Sequence, residues 1–239
     1  MILVNEIYGP VRQGEGKSAG KDVMFMRLSG CNLACIWCDT PYTWNWIGTK
    51  FAHPDKFDKK LEAHKMTADD VKAQLYDKTG KVRGLVISGG EPMLQQKELI
   101  PFLQSLIFWW VEVETNGTIE PTDQFLKLVN QINCSPKTSN SGIDNPLKLR
   151  YKKKALKKIA DSDKSTFKFV VQSDQDLKEV QDIIADVDIA PEKVWLMPEG
   201  RTKIEQLEKQ EQVKELVKKF GYNFSPRLHI LEHDSKRGV

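Results

Sequence analysis

Short apolar runs that alternate with helical segments along the whole chain constrain this fold more than any other feature of the sequence. Strand-like stretches rich in β-branched and aromatic residues fall at 23–28 (VMFMRL), 82–88 (VRGLVIS), 108–114 (FWWVEVE), 131–134 (QINC), 166–171 (TFKFVV), 193–197 (KVWLM) and 227–231 (RLHIL). Between them, helical spacing runs over about 67–79, 95–106, 121–130, 150–161, 174–186 and 202–220. Thr67 and Asp70 have the spacing of a capping box, and Pro121 with Thr122 opens the next helix. Such alternation marks βαβ units, and strands that read as apolar on both faces suit a parallel sheet covered by helices. Right-handed crossovers of this kind build an open doubly wound sheet or a barrel. Six or seven strands are too few for eight barrel units. The pattern therefore predicts an α/β fold: an incomplete, TIM-like barrel of about six parallel strands with flanking helices. A chain of 239 residues fits one domain, 1–239. Residues 41–66 lack clean periodicity and read as an insertion or flap over the site.

Chemistry in such folds sits at the carboxyl ends of strands. Small and polar residues gather there: SGC follows the first expected strand, SGGEP the second, ETNGT the third, CSPK the fourth and MPEG the sixth. Three of the four cysteines, Cys31, Cys35 and Cys38, lie in the first loop, and Cys134 is remote, which is no disulfide framework. A structural zinc site would need Cys134 or a histidine as fourth ligand. Cys35 and Cys38 formally make a thioredoxin-like pair. Three thiolates on a four-iron cluster would leave one iron without a protein ligand. Cys134 itself reads as an ordinary buried thiol.

Hydrophobic residues at 40% and charged residues at 29% exclude a disordered chain. The longest apolar run, LIFWWV, is far short of the roughly 20 residues of a membrane span, and the N-terminus resembles no signal peptide, so a cytoplasmic enzyme is expected. A net charge of +3 steers anions weakly. The basic run KLRYKKKALKK (148–158) has one tyrosine and no aromatic interleaving; it reads as a solvated helix face rather than a nucleic-acid patch.

The segment CNLACIWC (31–38) resembles the cysteine pattern of the radical S-adenosylmethionine superfamily. The resemblance implies that Cys31, Cys35 and Cys38 hold a 4Fe-4S cluster whose fourth iron is chelated by S-adenosylmethionine, and that cleavage of this cofactor yields a 5′-deoxyadenosyl radical. By the same resemblance, Gly89, Gly90 and Glu91 of GGEP, Ser135, Pro136 and Lys137 of CSPK, Trp37, Cys38 and Asp39 of the cysteine loop, and Met197, Pro198, Glu199 and Gly200 of MPEG contact the cofactor.

Together with VRQGEG (11–16), MRLSGCNLACIWCDTPYTW and the final GV, the chain resembles the 7-carboxy-7-deazaguanine synthases, ring-contracting enzymes of 7-deazapurine (queuosine-type) biosynthesis. The likeness runs from the N-terminus to Val239 and is only an outline at 41–66 and at KSTFKFVV. It implies a lyase that converts 6-carboxy-5,6,7,8-tetrahydropterin to 7-carboxy-7-deazaguanine with loss of ammonia and regenerates S-adenosylmethionine. A carboxylate or carboxamide can match the amide-and-amine edge of a pterin; Arg12, Gln13, Gly14 and Glu15 fall there by the resemblance. Arg27 matches the partner of the substrate carboxylate, and Ser88, His233 and the terminal carboxylate of Val239 match further substrate contacts. Thr40 matches a hydroxyl on Mg²⁺, whose other positions waters and substrate would fill; the alternative is that Thr40 caps a turn before Pro41. His53, His64 and His229 read as structural or surface residues. A flavodoxin or ferredoxin as electron donor and a homodimer are implied as well. A glycyl-radical activase with the same cysteine spacing and a zinc-bound nucleic-acid module are the rival readings.

Overall fold

The computed structural model describes residues 1–239. Its strands are β1 Ile2–Arg12, β2 Asp22–Leu28, β3 His64–Met66, β4 Gly84–Gly89, β5 Trp110–Thr115, β6 Gln131–Cys134, β7 Ser165–Val171, β8 Val194–Pro198 and β9 Asn223–Phe224. Its helices are α1 Lys59–Glu62, α2 Ala68–Thr79, α3 Gln96–Gln104, α4 Asp123–Leu128, α5 Leu147–Arg150, α6 Lys153–Ala160, α7 Asp174–Val187, α8 Lys203–Phe220 and α9 Leu228–His233. One sheet has the order β3-β1-β2-β4-β5-β6-β7-β8-β9 and stays open. From β2 onward every pair is parallel, while β1 runs antiparallel to both β2 and β3. The six parallel strands β2 and β4 to β8 are the expected incomplete barrel. Strands β1, β3 and β9 extend it beyond the sequence expectation. Residues 227–231, expected as a strand, instead enter α9.

The strands are not apolar on both faces. Side chains alternate across a strand. Met24, Met26, Leu28, Leu85, Ile87, Val111, Val113, Ile132, Phe167, Phe169 and Leu196 point to the helices and form the main core. The intervening positions Arg27, Ser88, Glu112, Glu114, Asn133 and Lys168 share the opposite face. Register places Arg27 beside Ser88 and Glu114 beside Asn133, so polar groups stand at one level across the sheet. Helices cover one face; on the other, residues 13–18 pack against the polar groups, with Gln13 and Ser18 on Glu112 and Glu15 on Lys168.

Capping boxes start three helices: Thr67 with Asp70 for α2, Ser173 with Asp176 for α7, and Thr202 with Glu205 for α8. Each cap contributes about 1 kcal/mol and fixes where a loop ends. On α6, Ala155, Leu156 and Ile159 are buried. Lys153, Lys154, Lys157 and Lys158 pair with Asp186, Glu120, Asp161 and Asp123, which makes the basic run a charge-balanced helix face. Segment 41–66 is a folded excursion that returns to the sheet as β3. Buried Asn45 organises it: its amide donates to the His53 and Asp55 carbonyls at 3.0 and 2.7 Å, and its oxygen accepts from Thr49 and Lys56 at 2.7 and 2.8 Å. No helix is long and apolar enough to cross a membrane.

Candidate active site

A cavity of about 280 Å³ opens where the carboxyl ends of β2 and β4 to β8 meet the loops, and it is lined by the cysteine loop, the Gln13–Glu15 turn and residues 234–239. Cys31, Cys35 and Cys38 all line it. Each sulfur accepts an N–H: Cys31 from the Leu33 amide at 3.4 Å, Cys35 from Asn145 at 3.4 Å, and Cys38 from the Trp44 indole at 3.3 Å. Burial pushes all three thiols up, Cys35 to about 12. A metal bound by these thiols would have to displace their protons. The one group of three potential ligands converging within 4.8 Å is Glu15, Asp39 and His229, not the cysteines. Sulfurs on one tetrahedral zinc sit about 3.8 Å apart, given bonds of about 2.3 Å. The three sulfurs do not all lie within 4.8 Å of one another, and each accepts an N–H, as thiolate ligands of a cluster with several irons do.

The GGEP turn is zipped to this loop. Gly90 N–H donates to Leu28 C=O at 3.0 Å and Glu91 N–H to Gly30 C=O at 2.8 Å. Gly89 has φ +125°, and a Cβ on Gly90 would sit 2.1 Å from the Gly30 carbonyl oxygen, so only glycines permit the approach. The Glu91 carboxylate, fully buried, accepts from Met93 N–H at 2.9 Å, Thr115 Oγ1 at 2.7 Å and Asn116 N–H at 2.6 Å. It ties the loops after β4 and β5 together and does not reach the cavity surface.

Opposite the cysteines lies a charged chamber. Glu15 is buried between Lys168 and Arg227, with Arg227 Nε donating to it at 2.9 Å, and Arg227 also pairs with Asp39. Burial alone would raise the Glu15 carboxyl, but Lys168 and Arg227 overcome it and hold the group well below the carboxylate range. Two carboxylates thus face two fixed cations, which leaves a third cation little to neutralise. His229 stands 3.8 Å from Glu15, and burial pushes its imidazole down. Gln13 Nε2 donates to Glu112 at 2.8 Å and to Glu114 at 3.1 Å, and Ser88 donates to Glu114 at 2.6 Å. The Asn133 amide is buried on the cavity wall with neither nitrogen nor oxygen paired. A buried amide without partners is costly, and this one backs directly onto Gly16.

Arg27 reaches the cavity from β2, with Nε on Glu6 at 2.8 Å and Nη2 on Tyr8 Oη at 2.7 Å. Its charge is thus oriented before a ligand arrives. Thr40 precedes the Pro41–Thr43 turn but makes no side-chain capping bond; its hydroxyl lies 3.6 Å from Cys38 Sγ.

Of the residues expected at the site, Arg12, Gln13, Gly14, Glu15, Arg27, Trp37, Asp39, Thr40, Ser88, Gly89, Gly90, Ser135, Lys137, Met197, Pro198, Glu199, Gly200 and Val239 line the cavity with the cysteines. Glu91, Pro136 and His233 do not. The His233 side chain is 45% exposed and lies 3.9 Å from Glu232. One turn earlier on α9, His229, expected as a structural or surface residue, takes the inward position on the cavity wall. His53, expected as a structural or surface residue, is a buried structural one that meets the Cys38 carbonyl at 3.1 Å. Lys168, Arg227 and Glu114 were missed too. A lysine inside TFKFVV and glutamates at alternate positions of FWWVEVE were the available signals.

Comparison with known proteins agrees with this geometry. A family model described as the radical SAM superfamily matches residues 27–187. A 7-carboxy-7-deazaguanine synthase of Pyrobaculum aerophilum is 32% identical over 99% of this chain and 97% of its own length. Its namesake in Rhodopirellula baltica is 31% identical over 100% of this chain and 89% of its own. Among solved structures, QueE from Escherichia coli superposes with a TM-score of 0.71 at 22% identity, covering 95% of this chain and 94% of that one.

Proposed function

The chain belongs to the radical SAM superfamily and, within it, to the 7-carboxy-7-deazaguanine synthase family, and we propose that it is the lyase that converts 6-carboxy-5,6,7,8-tetrahydropterin to 7-carboxy-7-deazaguanine with loss of ammonia. The observation that carries the reading is the pairing of three cavity-facing thiols with a polar chamber that presents carboxylates, amides and one pre-oriented arginine. Cys31, Cys35 and Cys38 would hold the 4Fe-4S cluster, and Trp37, Asp39, Gly89, Gly90, Ser135, Lys137 and the Met197–Gly200 loop would seat S-adenosylmethionine beside it. When bound, these groups supply the radical that takes the C6 hydrogen of the pterin.

The protein's own work is recognition and exclusion of water. Gln13 and Glu15 suit the amide-and-amine edge of a pterin, and Arg27 suits its carboxylate. Held in this way, the reacting carbon is fixed against the cofactor, and orientation supplies much of the rate. Thr40, whose hydroxyl has no capping partner, would offer one oxygen to a Mg²⁺ completed by waters and substrate. Family likeness supports a small electron donor such as flavodoxin or ferredoxin, a cytoplasmic setting and a homodimer. Residues 234–239 on the cavity wall disfavour an activase, which needs an open groove for a protein loop. Anaerobic purification with iron and sulfide analysis tests the reading: four irons and four sulfides per chain are expected, and a colourless protein with one zinc would refute it.

A further inference from the structure

Residues 234–239 line the cavity but follow the last helix and form no helix or strand, so something else must hold them there. The tie is Arg237. Its Nη1 and Nη2 donate to the two Glu62 oxygens at 3.0 and 2.8 Å, Nη2 also donates to Asn5 Oδ1 at 2.8 Å, and Nε donates to Glu6 at 3.1 Å. The guanidinium stacks 3.9 Å over the Tyr42 ring. All of these partners sit on ordered elements. Asn5 and Glu6 belong to β1; Glu62, 8% exposed, ends α1 and also receives the Asn5 amide at 2.8 Å. A two-pronged contact of this kind has fixed geometry as well as strength, and only arginine has the fork for it. Glu6 is shared: one oxygen accepts from Arg237 and the other from Arg27 at 2.8 Å.

We propose that Arg237 is a positioning residue that docks residues 234–239 over the cavity through Glu62, Glu6 and Tyr42, and through Glu6 holds Arg27 in the orientation that receives a substrate carboxylate. The inference rests on the pterin reading given above and adds a residue that never touches the substrate. Its effect falls on the pterin end of the cavity, because Gly90 is held by Leu28 C=O and Gly200 by Gln206 and Arg227.

The test uses the anaerobically reconstituted holoenzyme with Arg237→Ala, Arg237→Lys, Glu62→Gln and the Arg237→Ala/Glu62→Gln double variant. Arg237→Ala is expected to raise KM for 6-carboxytetrahydropterin about 10- to 100-fold, to leave KM for S-adenosylmethionine within about 2-fold, and to speed hydrogen exchange at 234–239 with α2 and α7 unchanged. Arg237→Lys restores part of the loss. Glu62→Gln alone reproduces part of it, since Arg237 keeps Glu6, Asn5 and Tyr42, and the double variant is no worse than Arg237→Ala, because the Glu62 contact is already gone there. Losses that multiply in the double variant, equal rises in both KM values, or a pterin KM within 2-fold of wild type would overturn the proposal. A wild type that makes no deazaguanine would defeat the pterin reading instead, and the exchange of 234–239 would still decide whether Arg237 docks the segment.

Discussion

Glu112 gives the account a quantitative handle. It is fully buried on the concave face of β5, where burial, and after it the neighbouring Glu114 carboxylate, pushes its pKa up from 4.5 to about 7. The Ser18 hydroxyl and the Gln13 amide donate to it and limit the rise. Between these two values the folded chain keeps a proton that the unfolded chain releases. The stability it contributes is therefore full below pH 4.5 and is lost as pH climbs through about 7. At 1.36 kcal/mol for each tenfold change in proton affinity the whole effect is about 3 kcal/mol. About 1 kcal/mol is lost by pH 5 and nearly all by pH 8, so the window between them holds about 2 kcal/mol. Glu112→Gln keeps the shape and cannot ionise. Thermal melts of wild type and variant at pH 5 and pH 8, at one ionic strength, should show the variant's advantage growing by about 4–8 °C at the higher pH for a chain of this size. Melting curves that shift in parallel would mean that Glu112 titrates normally and that the chamber beneath Gln13 is wetter than the structure shows.

Four further outcomes follow from the site. Replacing Cys31, Cys35 or Cys38 by Ala should abolish reductive cleavage of S-adenosylmethionine, measured as 5′-deoxyadenosine; retained turnover would remove that cysteine from the ligand set. Arg27→Ala should keep the fold, since Glu6 still has Arg237, and should raise the pterin KM about 10-fold or more while uncoupled cofactor cleavage persists; loss of bound iron would point to a structural role. Thr40→Val should blunt the response of rate to added Mg²⁺, and an unchanged response would contradict a metal at that hydroxyl. Glu15→Gln leaves buried Lys168 without its partner and should cost about 3–5 kcal/mol in denaturant unfolding; a loss under about 1 kcal/mol would show that water reaches the pair.

The parts of this protein written locally were legible in its sequence. Capping residues, strand-end glycines and the clustered cysteines act over a few positions, so α2, the GGEP turn and the cysteine loop could be placed before any coordinates. Strand β1 escaped notice because Asn5, Glu6 and the Gly9–Pro10 pair interrupt its apolar pattern and its pairing with β2 and β3 is set by distant partners. Residues 227–231 look like a strand by composition, but Arg227 is drawn inward by Glu15 and Asp39 and α9 follows from that anchor. The choice between His229 and His233 depends on how that short helix rolls against the cavity, which no local pattern encodes. The two-sided polarity of the strands was present as Glu112, Glu114 and Lys168 at alternating positions. Reading those runs as wholly apolar hid the chamber.

Turnover by the anaerobically reconstituted protein, with 6-carboxytetrahydropterin, S-adenosylmethionine and a reductant, decides whether the chain is a ring-contracting lyase when product is counted against cofactor consumed. The expected result is the 7-carboxy-7-deazaguanine chromophore, ammonia in equal amount, and many products for each S-adenosylmethionine lost. Cofactor cleaved to 5′-deoxyadenosine with no deazaguanine formed would contradict it.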